Sequence, residues 1–240
     1  MSKNFKIFLG FIYLLILVAF LYFIFSNIQI SRLNDFLYYK ELQLNLDQFV
    51  TNNLIINIIY FSVFTIIWVL MLGFGSPITI LSGILFGKWI GTLVSVISMS
   101  IGALALYSIV NFFFKDLVKN ILEKKFRKYI QLFQQNEFNY FFIYRFVGGL
   151  GVPFFLQNLL PILFNMKKTN YFFSSFLGFI PSVFIFNTIG AGLNTFIKEA
   201  DNFSIFKLIL SEEILFPILM FVGLIIISII FKKKFFKNVN

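Results

Sequence analysis

The chain contains no cysteine and no histidine. That excludes disulfides, thiolate chemistry, most zinc, iron and haem sites, and every catalytic triad built on a histidine base. Acidic residues are scarce as well, with 10 Asp and Glu against 20 Lys and Arg, and residues 51–114 hold none. A hydrolase or oxidoreductase of the soluble type is not expected, and no catalytic residue, metal or cofactor is assigned. Charge of either sign is thin, at 12% of 240 residues, while 59% are hydrophobic. A soluble domain of this length could not bury so much apolar surface. Repeated apolar runs of about twenty residues predict transmembrane helices, whereas a β-barrel would show short alternating segments. The fold class expected is an all-α, polytopic integral membrane protein.

The net charge of +10 would suggest nucleic acid in a soluble protein. Here the basic residues lie between apolar runs, so the reading is positive-inside topology with contact to anionic headgroups and no nucleic acid. The 38 phenylalanines are spread through the chain and read as coding bias.

Residues 7–26 follow Lys3 and Lys6 and lack a small-residue cleavage site, so they are expected to stay as a first helix with the N-terminus inside. Residues 27–50 read as a polar extramembrane linker. The apolar residues 51–114 break at Gly73-Phe74-Gly75-Ser76-Pro77. Residues 115–128 read as a basic loop. Residues 138–166 carry one charge, Arg145, and break at Gly148–Pro153 within "RFVGGLGVP". Residues 171–195 and 214–231 are apolar, and Lys232-Lys233-Lys234 opens a basic tail.

Placing residues 115–128, Lys167, Lys168 and the tail on the inside fixes the parity of crossings. Residues 138–166 then form a re-entrant hairpin from the inside, and residues 52–90 one from the outside. About four helices span: 7–26, 91–113, 171–195 and 214–231. The two halves become inverted copies, an arrangement used by transporters. Three parts follow: an N-terminal anchor and linker (1–50), a membrane domain (51–195), and a C-terminal helix with basic tail (196–240).

Gly and Pro breaks at membrane depth expose backbone groups, which are tolerated only within protein or beside water. Pro77 and Pro153 stand where a second half-helix would begin. A buried arginine is costly and calls for a cavity or partner, so Arg145 is the first candidate for holding a phosphate or anionic headgroup. Its other reading is that it snorkels to the inner interface or pins the hairpin's own carbonyls. Gly151, Pro153 and Asn158 from the second hairpin, and Gly75, Ser76 and Pro77 from the first, complete the candidate substrate site. Thr79 and Ser82 are candidates to line the first hairpin, or to bond their own helix. Gly83, Gly87, Gly91 and Gly102 are expected to permit close helix packing.

The ordered set Pro77, Gly83, Phe86, Gly87, Gly102 and Ala103, followed by Arg145, Pro153, Asn158, Gly178, Pro181 and Gly190, resembles the VTT-domain proteins. These are also called the DedA or SNARE-associated Golgi superfamily, and the resemblance covers residues 55–195. It implies two facing re-entrant hairpins in a protein that moves lipids between leaflets, including polyprenyl phosphates in bacterial relatives, or serves membrane homeostasis. The expected location is a bacterial cytoplasmic membrane, and the basic residues at the two ends place both termini on the cytoplasmic side. Two departures stand out. Asn111 occupies a position where family members often carry an arginine, and the first hairpin lacks the acidic residues of some bacterial members, which puts proton coupling there in doubt. The expected function is transport of a phosphate-bearing lipid, with membrane lipids as partners. A small-solute or ion transporter, or a scaffold that transports nothing, are the alternatives. Oligomeric state is not legible.

Overall fold

The computed structural model describes residues 36–199 and 205–235, with single positions between 8 and 26. The expected first helix, 7–26, and the last residues of the basic tail lie outside this continuous description. Among the described residues every element is helical: α1 Phe36–Asn52, α2 Leu54–Leu70, α3 Gly75–Phe113, α4 Lys115–Gln135, α5 Glu137–Phe146, α6 Phe154–Leu159, α7 Lys168–Glu199, α8 Ile205–Leu210 and α9 Glu212–Phe235. Short 3-10 turns occupy Gly148–Gly151 and Leu160–Phe164.

Three of these helices are long and apolar enough to cross a bilayer: Gly75–Phe113, Lys168–Glu199 and Glu212–Phe231. The α1–α2 pair, bent by 111°, adds a fourth candidate. The distribution of side chains is that of a protein solvated by lipid. Ile55, Ile59, Val63 and Ile67 on α2 are exposed at every fourth position, as are Leu93, Ile97 and Ile101 on α3, and Leu219, Val222, Ile226 and Ile230 on α9 are exposed at spacings of three and four. Polar residues point inward instead, among them Thr65, Ser82, Ser95, Asn158 and Asn187. The chain is an integral membrane protein, as its composition requires.

α3 is not one rod. Straight, its 39 residues would extend about 58 Å, twice the ~30 Å hydrocarbon core. It turns at Gly87, whose φ of 72° and ψ of 178° fall in a region essentially reserved for glycine. The segment 75–86 folds back along 88–113. Ser82 Oγ donates to Gly91 O at 3.1 Å, and a Cβ on Gly75 would touch Met99. This corrects the packing role expected of Gly87, where an added Cβ would meet nothing within 4 Å. The expectation holds at Gly83 and Gly91, which a Cβ would drive into Asn187, and at Gly102, which faces Val69 and Ile66. α7 packs most heavily on α3. Its Gly190 meets Ile80 O, Gly178 meets Arg145, and the helix continues unbroken through Pro181.

Two segments read as linkers are helices. Residues 36–52 form α1, which Asp47 ties to Lys198 of α7 at 2.5 Å. The basic stretch opens α4, whose Val118, Leu122 and Phe133 are buried while Lys124, Lys125 and Arg127 face outward. Phe133 stacks on Phe164 at 5.0 Å, fastening α4 to the turn before α7. Apolar residues at 118, 122, 126, 130 and 133 follow the helical period, a pattern that the charge density masks.

Candidate functional site

Two breaks in the helices define the site. At the first, α2 ends with Leu72 at φ 59°, while Leu72 N–H donates to Val69 O and Gly73 N–H to Trp68 O. This is a left-handed helix stop that usually takes glycine. Gly73 sits under the Trp68 indole, where a Cβ would overlap the ring, and the indole Nε1 donates to Phe74 O at 2.8 Å. Ser76 and Pro77 lie in the first turn of the helix that follows, and Thr79 Oγ1 donates back to Gly75 O and Ser76 O.

At the second break, Gly148, Gly149, Leu150 and Gly151 all have positive φ, which three glycines make possible. Gln157 holds this turn: its Nε2 donates to Val152 O at 2.6 Å and reaches Gly148 O at 3.5 Å. Gly149 lies so close to the Gln157 amide that a Cβ would overlap it. Pro153, extended at φ −54° and ψ 141°, precedes α6. The base of this unit is closed by Glu137, whose carboxylate accepts from Lys167 N–H and, at 2.6 Å, from Asn170 Nδ2. Tyr107 OH adds a 2.7 Å bond to Met166 O.

Arg145 lies eight residues along α5 from Glu137, about 12 Å deeper by helical rise. Its side chain is 1% exposed, and its polar partners are neutral. Nη1 donates to Gln157 Oε1 at 3.0 Å, and Nη2 donates to Asn158 Oδ1 at 2.6 Å and to Tyr171 OH at 3.2 Å. Aromatic rings flank the guanidinium, with Phe179 at 4.6 Å and Phe141 at 4.9 Å from its carbon, and Phe154 and Tyr171 both at 5.9 Å. Desolvated cation–π contacts are worth about 2 kcal/mol or more, which offsets part of the cost of burying the cation but leaves its charge unneutralised. The shell is incomplete: Arg145 Nε and Asn158 Nδ2 are buried with no acceptor.

Both breaks open on one cavity of about 550 Å³. Phe74, Gly75, Ser76 and Thr79 line it from the first, and Arg145, Val147, Gly148, Leu150, Gly151, Phe154 and Gln157 from the second. Met99 of α3, Phe179, Ser182, Val183 and Phe186 of α7, and Phe221, Leu224, Ile225, Ser228 and Ile229 of α9 form the remainder, apolar apart from the two serine hydroxyls.

Of the candidates from the sequence, Arg145, Gly151, Gly75 and Ser76 line this cavity, and Asn158 stands behind it as a ligand of Arg145. Pro77 and Pro153 flank the breaks and are not in its wall, and Ser82 bonds Gly91 away from it. Gln157 and Tyr171 were missed. A neutral polar residue on an apolar helix carries no spacing signal, although Gln157 and Asn158 form the one adjacent amide pair in residues 141–166. The VTT domain family model matches residues 55–192, a stretch holding both breaks and every partner of Arg145. No solved structure matches the chain.

Proposed function

Because the chain belongs to the VTT-domain family, the DedA and SNARE-associated Golgi type of membrane protein, whose members are generally transport-related, we propose that it carries a phosphate-bearing lipid headgroup across the bilayer. One observation carries the reading: a single cavity joins both helix breaks and holds a buried arginine that has only neutral partners and one unpartnered N–H.

In this reading the two broken units are re-entrant hairpins from opposite faces. Residues 54–86 enter from one side and turn at 71–74, and residues 137–165 enter from the other and turn at 147–153. The family's expected topology supports this, and so does the grouping of charged ends. Lys88 borders the same depression as Glu212 and Glu213, while Glu137 accepts from the backbone N–H of Lys167, beside Lys168. The basic face of α4 marks the Glu137 end as cytoplasmic. Opposed tips shorten the apolar barrier, and the guanidinium offers a charge-assisted, bidentate contact to phosphate oxygens. α9 supplies an apolar wall for the acyl chains, so the headgroup enters sideways between α9 and the second tip.

The test is headgroup flipping in liposomes reconstituted with the purified protein. Arg145→Ala is expected to lower the rate at least tenfold, and Arg145→Lys, which keeps the charge but loses the planar fork, nearly as far. Wild-type flipping by both variants removes the arginine from the mechanism. Uptake of a water-soluble anion without lipid flipping makes the protein a solute transporter.

A further inference from the structure

The charge count at Arg145 narrows what can occupy the cavity. Among the described residues lining it, Arg145 is the one charged group. Its hydrogen-bond partners Gln157, Asn158 and Tyr171 are neutral, and the wall around it is largely aromatic and aliphatic. The site therefore carries one uncompensated positive charge in a low-dielectric setting. One negative charge neutralises it. A second would be buried with no cation opposite, a costly arrangement. Resting on the reading that Arg145 engages a headgroup phosphate, we infer that the cavity takes this phosphate with a single negative charge: a phosphodiester as it stands, a phosphomonoester only in its singly protonated form.

The donors and acceptors match one such group. Arg145 Nε is an unpartnered donor on a residue of the cavity wall, Asn158 Nδ2 is a second one behind that wall, and Gln157 Oε1 occupies Nη1 as a neutral stand-in for an anionic oxygen. Ser182 gives its own proton to Phe179 O at 3.2 Å, leaving its oxygen on the cavity wall to accept the P–OH of a monoester. The titratable groups around the guanidinium are phenols: Tyr144 on α5, Tyr171 on α7, and Tyr107 on α3, whose ring lies tilted against that of Tyr171 at 5.1 Å. Phenols ionise near pH 10 in water. α6, both tips and the cavity-lining part of α9 bring no titratable side chain. Glu137, Lys167 and Lys168 lie at the base of the second unit, and Lys88, Glu212 and Glu213 at the opposite end.

The full chain in detergent supplies its own probe. Trp89→Phe leaves Trp68, whose indole bonds Phe74 O at the first tip, as the only tryptophan. Its fluorescence is titrated with three dioctanoyl lipids: phosphatidic acid (a monoester), phosphatidylmethanol (a diester) and dioctanoylglycerol, at about pH 5.5 and about pH 8. Diester affinity should change less than about twofold. A phosphomonoester loses its second proton near pH 6, so its affinity should fall about tenfold per pH unit above that as the competent fraction shrinks. A monoester that binds as tightly or more tightly at pH 8 overturns the inference. In Gln157→Glu, a resident carboxylate uses up the single charge, so the preference of the diester over dioctanoylglycerol should vanish; its persistence overturns the inference too. Wild-type protein that binds dioctanoylglycerol as tightly as both phosphates defeats the phosphate reading itself.

Discussion

Removing the Arg145 side chain would leave Gln157 Oε1, Asn158 Oδ1 and Tyr171 OH facing one another without a cation, so this arginine organises its neighbours as well as offering charge. In the sequence that residue stood as a choice between holding a ligand and pinning the hairpin's own carbonyls. Its bonds go to side chains rather than to tip carbonyls, and Gln157 relays the restraint to Val152 O. Gly149 is where that relay can be tested. Gly149→Ala meets a strained φ of 74° and overlaps the Gln157 amide, so it should cost about 2–3 kcal/mol of stability, counting the left-handed backbone and one lost hydrogen bond. Gly151→Ala has a similar φ of 82° but nothing within 4 Å, and should cost about 1–2 kcal/mol. Thermal unfolding of the two variants measures the difference, and equal losses would show that Gln157 does not hold the turn. The arginine was legible because a charge in an apolar run is rare. Gln157 and Tyr171 were not, because their roles come from where folding places them.

At the scale of elements, glycine and proline clusters located both breaks correctly, since no other residues so readily allow a helix to stop at membrane depth. The reversal at Gly87 was hidden. A lone glycine in an apolar run looks the same whether it admits a neighbouring helix, as Gly83 admits Asn187, or adopts a backbone angle no other residue takes. The basic segment was read as a loop because charge drew attention from the periodic Val118, Leu122 and Phe133. α9 lies outside the matched family domain yet supplies five of the cavity's lining residues. Its Leu224 approaches Gly148 to 3.6 Å of an added Cβ. Cysteines at these two positions, bridged by a short cleavable crosslinker in this cysteine-free chain, should stop lipid flipping until the bridge is reduced. Undiminished flipping by the bridged protein would mean that the headgroup does not pass between α9 and the tip.

Across the whole molecule, carrying a headgroup over the bilayer requires the two broken units that share the cavity to enter from opposite faces. The ends of those units carry natural reporters. Lys88 is exposed beside the turn at Gly87, near Glu212 and Glu213, and Lys167 is exposed at the base that Glu137 closes. Neither lysine forms part of the cavity wall, so replacing either should leave the interior undisturbed. The most direct measurement is labelling of Lys88→Cys and Lys167→Cys, each as the sole cysteine, with a membrane-impermeant maleimide in intact cells and in inverted vesicles. Lys88→Cys is expected to react from outside only and Lys167→Cys from the cytoplasmic side only. Reaction of both from the same side would contradict the opposed hairpins and, with them, the shared cavity as a path across the membrane.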